Sequence, residues 1–240
     1  MTHIDASQMD YRQLNAAIRG CTGDITVTGC LGQRFIGAGL GQERLTITGT
    51  PGNALGAYLD GACIEVRGDA QDAVGDTMNA GRIVVHGSIG DAAGYAMRGG
   101  ELYVAGNAGY RAGIHMKAYG DKLPVMVIGG RAGSFLGEYQ AGGIIIVLGL
   151  TERSRPIVSN FPCTGMHGGK LFLRSDCRDI LFPSQVVVRP ADEADLREIE
   201  GYLHTFCRLF GGRCRELLHH PFTVVTPNSS DPYRQLYVTN

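Results

Sequence analysis

The chain has no tryptophan, no Cys-x-x-Cys pair and no apolar run longer than the five residues from Ile144 to Leu148. A membrane-spanning helix needs about 20 apolar residues, so none is expected. Met1 to Asp5 lacks the charged and apolar regions of a secretory leader, which points to a cytoplasmic protein. The seven cysteines, at 21, 30, 63, 163, 177, 207 and 214, come no closer to a ligand pattern than Cys163-x3-His167 and Cys207-x6-Cys214. Structural zinc and iron-sulfur sites space their ligands more tightly, so no metal site is expected and the thiols read as reduced. Charge is scarce and balanced: 22 Lys and Arg stand against 23 Asp and Glu. Without a basic field the chain has no bulk attraction for nucleic acid or an anionic membrane.

Glycine is what the sequence has in excess, with 36 in 240 residues, about twice the usual ~7%. No G-X-Y register accompanies it, which excludes collagen, and 44% hydrophobic residues suffice for a buried core. The glycines must serve repeated tight turns.

A repeat supplies the reason. Gly81 to Gly87, Gly100 to Gly106 and Gly143 to Gly149 share the pattern G-x-Φ-x-Φ-x-G, where Φ is apolar, and its closing position recurs at 29, 49, 68, 87, 106, 130, 149 and 175. The unit is about 19 residues with insertions. Its Φ pairs are Ile25/Val27, Leu45/Ile47, Ile64/Val66, Ile83/Val85, Leu102/Val104, Met126/Ile128, Ile145/Val147 and Leu171/Leu173. Period-2 alternation predicts a short strand with one buried face in each unit. Three more apolar columns follow each strand: one from Leu31 and Pro51 to Ala132, one from Ile36 and Leu55 to Leu136, and one from Leu40 through Met78, Met97 and Met116 to Met166, with Gln140 its polar member. Glycines separate them at 52, 90, 109 and 133, and again at 37, 56, 75, 94, 113 and 137, where a sharp turn can require positive φ.

One strand and two glycine-marked corners cannot bury an apolar face alone but can do so by stacking. The predicted fold is all-β: a single-stranded right-handed parallel β-helix of seven to eight coils. Residues 1–22 read as an N-terminal helical cap, 23–178 as the β-helix, and 179–240 as a C-terminal helix and tail packed on the solenoid. Asp5 to Arg19 carries the spacing of the first helix, and Pro190 to Phe210 that of the second, with acidic residues in its first turn.

No catalytic constellation emerges. Gly37 to Gly41 reads G-x-G-x-G without a strand-turn-helix unit, and Thr164 to Leu171 departs from a phosphate-binding loop at both its first glycine and its final Ser/Thr. His115, His167 and the His219-His220 pair lack an orienting carboxylate at fixed spacing. The outward columns Asp24, Arg44, Cys63, Arg82, Glu101 and Thr26, Thr46, Glu65, Val84, Tyr103 hold no carboxylate cluster for acid-base cleavage. The expected catalytic, cofactor-binding and metal residues are therefore none.

In later coils the outward face turns apolar, at Val125, Val127, Ile144, Ile146, Leu148 and Phe172. Such a stripe needs a cover. The expectation is that the closing helix lays Leu196, Ile199, Leu203 and Phe206 across it, with a partner subunit over the remainder; packing of that helix on the open end of the solenoid is the alternative.

The glycine-rich coils, Gly94-Tyr-Ala-Met-Arg-Gly-Gly100, Gly137 to Gly149 and Thr164-Gly-Met-His-Gly-Gly169 resemble the C-terminal GXGXG domain of the glutamate synthase large subunit, from Ile4 to the C-terminus. The likeness is to the free-standing form of a split large subunit. It implies a non-catalytic structural subunit of a glutamate synthase-like complex, which releases ammonia from glutamine and adds it reductively to 2-oxoglutarate. In that reading FMN and an iron-sulfur cluster belong to a synthase partner and the amidotransferase nucleophile to another, because Thr2 stands here where the family nucleophile is an N-terminal Cys. A homo-oligomer is compatible with it. The same repeat occurs in the β-helix subunit of formylmethanofuran dehydrogenases and in N-methylglutamate synthase, which supply an alternative parent complex; a stand-alone coiled acyltransferase or lyase is the remaining one.

Overall fold

Val, Ile and Leu at alternate positions bury one face of a pleated segment, and every repeat uses them to make a strand. The computed structural model describes residues 1–151 and 155–228. It contains β1 (Thr2–Asp5), α1 (Tyr11–Arg19), β2 (Asp24–Leu31), β3 (Arg44–Thr50), β4 (Asp60–Arg67), β5 (Ala80–Val85), β6 (Glu101–Val104), β7 (Val125–Ile128), β8 (Ala141–Val147) and β9 (Gly168–Leu173). These strands pair in chain order, each parallel to the next, as a β-solenoid of about eight turns. Then follow β10 (Val186–Pro190), α2 (Glu193–Phe210), α3 (Cys214–Leu218) and β11 (Thr223–Pro227). β11 pairs antiparallel with both β9 and β10, so a hairpin closes the last coil.

The two Φ columns are the register partners of the ladder. Ile25, Leu45, Ile64 and Ile83 line up through to Leu171, and Val27, Ile47, Val66 and Val85 through to Leu173. All are buried in one continuous core. Each such side chain contributes roughly 1.5–3 kcal/mol on leaving water. The core ends at α1, where a capping box between Asp10 and Gln13 sets the first turn and Leu14 and Ile18 face inward. Gln140 is the polar exception inside, its amide nitrogen donating to the Gly142 and Gly143 carbonyls at 3.2 Å.

Each coil turns through residues in the left-handed region at every second position, as at Ala92 (φ 53°), Gly94 (φ 67°) and Ala96 (φ 49°). Before that corner, where single parallel bridges such as Ala70 with Ile89 continue the backbone pairing, side chains add to it. Asn53, Asp72 and Asp91 each accept the amide N–H one coil on, from Asp72 (3.3 Å), Asp91 (2.9 Å) and Tyr110 (2.7 Å). Asp69, Ser88 and Asn107 do the same for Ser88, Asn107 and Arg131, at 2.7, 3.0 and 2.9 Å.

The structure corrects the sequence reading in three places. Residues 1–22 are not only a helical cap, because β1 adds a parallel strand before a helix that begins at Tyr11. Leu31 leaves its proposed column and is 84% exposed, because an irregularity in β2 between Val27 and Cys30 turns Cys30 inward instead. The tail beyond α2 contains α3 and β11, which joins the main sheet.

Candidate functional site

The outer face of the strands changes character along the stack. β2, β3 and β4 present Asp24, Thr26, Arg44, Thr46, Cys63 and Glu65 to solvent, lining an open groove of about 330 Å³ with Arg82. From β6 onward the outward residues other than Glu101 and Lys170 are buried. Tyr103, Val125, Val127, Ile144, Ile146, Leu148 and Phe172 form a second cluster with Ile199, Leu203 and Phe206 of α2, separate from the solenoid core. Leu196 lies half-buried at its margin.

The helix is fixed at both ends. Asp192 accepts from the amides of Ala194 and Asp195 at 2.9 and 3.0 Å, and Asp195 returns the bond from Asp192 N–H at 3.0 Å. The Arg189 guanidinium grips the Asp195 carboxylate, and chiefly that hydrogen bond holds the Asp195 pKa below the ordinary aspartate value. Lys170 on β9 meets Glu198 at 2.5 Å. At the far end Phe210 rests on His86, just past β5. The helix thus runs back along the stack from β9 toward β5, over the strands whose outward residues are apolar.

The sequence-predicted residues Val125, Val127, Ile144, Ile146, Leu148, Phe172, Ile199, Leu203 and Phe206 therefore share one interior, with Leu196 at its rim. The sequence reading passed over Tyr103, Cys214, Leu217, Phe222 and Val224, which complete it. Tyr103 was legible, since it occupies an outward strand column; Phe222 and Val224 were not, because their strand carries no repeat motif. Burial, then the nearby Glu101 charge, pushes the Tyr103 hydroxyl well above the usual tyrosine pKa, while Arg82 bridges Glu101 at 2.7 Å and stands 5.7 Å from the Tyr103 ring.

Of the histidines, His115 is exposed between Tyr95 and Tyr139, and His167 places Nδ1 3.0 Å from the Gly165 carbonyl. Burial raises the Cys30 and Cys214 thiols to about 11 and Cys163 further, which keeps them protonated. Among the described residues no three His, Cys, Asp or Glu side chains converge as metal ligands. No helix of the described residues is long and apolar enough to cross a membrane.

This corner-and-strand repeat is what a family model for the GXGXG motif recognises, matching residues 9–228. The chain belongs to the GXGXG motif family. A second comparison gives MJ1350, an uncharacterized protein of Methanocaldococcus jannaschii, 43% identical over 248 residues that cover 98% of this chain and 95% of the relative. The GXGXG domain family is one found in glutamate synthase.

Proposed function

We propose that the chain is a non-catalytic structural subunit of a glutamate synthase-like complex, in which it positions an FMN and iron-sulfur synthase subunit and a glutamine amidotransferase subunit. The observation that carries the reading is the family match across 9–228, in a family that supplies the β-helix domain of glutamate synthase. The relative from Methanocaldococcus jannaschii is matched over 95% of its own length, which favours a GXGXG domain standing as a chain of its own. The donor set here does not fit a cluster: among the described residues no three Cys, His, Asp or Glu side chains converge. FMN and the iron-sulfur cluster are accordingly assigned to the synthase partner, and the reaction to the cytoplasm. What this chain offers is a rigid stack with two long sides for docking.

The test is affinity purification of the tagged chain from its native cells. The expected co-purifying material shows flavin and iron-sulfur absorption and forms glutamate from glutamine and 2-oxoglutarate with a reductant. Recovery of a pterin-containing assembly instead would move the chain to a formylmethanofuran dehydrogenase-like complex.

A further inference from the structure

The left-handed corners of the middle coils carry acids and rings without a cation of their own. Residues 68–79 and 87–97 contain Asp69, Asp72, Asp76 and Asp91 and no Lys, Arg or His. Among the described residues no basic side chain comes within ion-pair distance of any of the four. Asp72 and Asp91 are exposed, and each spends one oxygen on the coil ladder, accepting from Asp91 N–H at 2.9 Å and from Tyr110 N–H at 2.7 Å. Asp76 accepts from the Thr77 hydroxyl at 2.8 Å. Two exposed tyrosines flank it along the stack. Tyr58, 59% exposed, donates its N–H to the Asp76 carbonyl at 2.8 Å, and Thr77 N–H reaches the carbonyl of Tyr95, 42% exposed, at the same distance. Among the described residues neither ring has a guanidinium over it.

Later coils complete the same arrangement from within the chain. Glu138 holds the place in its coil that Asp76 holds in its own, its carbonyl accepting from His115 N–H at 2.9 Å. Arg111 pairs with the Glu138 carboxylate at 2.7 Å and lies 4.8 Å over the Tyr110 ring. In the coil before Asp76, the residue at the place of Arg111 is Ala54: Ala54 N–H donates to the Asp72 carbonyl as Arg111 N–H donates to that of Ser134, at 2.9 and 2.8 Å. The middle coils therefore keep the acid and the rings but not the guanidinium.

We propose that the corner side holding Tyr58, Asp76 and Tyr95 is a docking surface for a basic partner, a protein other than this chain whose Arg and Lys side chains bring the cations. A guanidinium or ammonium laid on an exposed tyrosine ring gains the attraction of the ring face and, here, of an adjacent carboxylate. The rings supply the apolar area that protein interfaces concentrate at their centres, where tyrosine and arginine are enriched. Four carboxylates without counter-charges attract a positively charged surface and repel an acidic one, which sets the choice of partner. A second copy docked through the same side about a two-fold axis would set acid against acid. The surface rests on the reading of this chain as a structural subunit, though not on which reaction the assembly performs.

The test uses the assembly held by the tagged full chain in its native cells. Carbodiimide, which joins carboxylates to lysines in contact, is expected to link the peptides carrying Asp72, Asp76 or Asp91 to one stoichiometric subunit, as mapped by mass spectrometry. D72N/D76N/D91N removes three charges while keeping an oxygen for each ladder amide, as Asn53 already provides for Asp72 N–H at 3.3 Å. Y58A/Y95A removes the rings instead. Each variant is expected to retain its thermal transition and to hold that subunit at least tenfold more weakly. An assembly that both variants hold as tightly as the wild type does overturns the docking surface and leaves the complex standing. Cross-links from these acids that reach only a second copy of this chain do the same. A wild-type chain recovered alone overturns both.

Discussion

The Phe210 ring stands edge-on to the His86 ring, with centroids 5.2 Å apart at 84°, at the place where the outer face of the sheet turns from apolar to polar. An 18-residue helix is about 27 Å long, and four strand spacings from β5 to β9 need about 19 Å. The length of α2 is therefore matched to the apolar stripe, with a turn to spare for its Arg189 anchor. Strands before β5 need no cover, because Thr, Arg and Glu already face water there.

Leu203 sits at the centre of that contact, fully buried, whereas Leu196 is at its edge. Leu203→Ala should lower unfolding free energy by about 2–5 kcal/mol and Leu196→Ala by clearly less. Urea titrations monitored by circular dichroism check the pair, and equal losses would contradict the placement of α2.

The Asp69 carboxylate accepts the Ser88 amide at 2.7 Å from one coil away. Asp69→Ala should cost about 1 kcal/mol and speed hydrogen exchange at Ser88, while Asp69→Asn, which keeps an acceptor, should do neither to the same degree. Exchange measured by mass spectrometry on the peptide containing Ser88 reads this directly.

That ladder also shows which features the sequence displays. The Φ columns were readable to the residue because strand pairing demands apolar side chains in register, so Val85 and Val104 could be placed as consecutive rungs. Asp69, Ser88 and Asn107 recur at the same 19-residue interval, but a polar column looks like ordinary surface until the amides it satisfies are known. β1 escaped for a related reason: His3 and Asp5 flank the single buried Ile4, too short an alternation to register. The covered face was legible because apolar residues there broke the polar-outward rule. The left-handed corners held by other residues were not, since positive φ at non-glycine residues such as Phe135 has no local sequence signature.

The Asp195 carboxylate is held below the ordinary aspartate pKa, first by its hydrogen bond to Arg189. Folding therefore favours the ionised form: the stabilisation is complete above about pH 4 and is lost as the pH falls through the lower native value. Arg189→Met should flatten this part of the profile. Melting temperatures from pH 2 to 7 should converge for the two proteins at the acid end and separate toward neutrality.

Cys63 is the one exposed thiol, between Arg44 and Arg82 on the neighbouring strands, while Cys30 and Cys214 are raised to about 11 by burial. Because the thiolate is the reactive form, iodoacetamide at pH 8 should modify Cys63 first in the native protein. Intact-mass analysis should show one fast adduct, absent in Cys63→Ser.

The two glycine columns invite the same treatment and should respond oppositely. Gly113 has φ +71°, which normally marks a position closed to other residues, yet Ala54, Ala73 and Ala92 already hold similar angles in this fold. A Cβ at Gly113 would collide only with the terminal methyl of Ile145, and that methyl can swing away. Gly133 is not among the positive-φ residues, but a Cβ there would lie 2.5 Å from the Gly109 carbonyl oxygen, 2.6 Å from its carbon and 2.8 Å from Tyr110 N. Those atoms belong to the ladder between adjacent coils and cannot yield without parting the coils. Left-handed strain in a non-glycine residue costs roughly 1–2 kcal/mol, whereas overpacking costs about 1–3 kcal/mol, and a clash with backbone that cannot yield falls at the upper end of that range. Gly133→Ala should therefore destabilise the protein more than Gly113→Ala, the reverse of what backbone angles alone suggest. Thermal unfolding of the two variants decides it, and a Gly113→Ala variant that melts lower than Gly133→Ala would mean that turn conformation, not the approach of one coil to the next, sets the requirement for glycine.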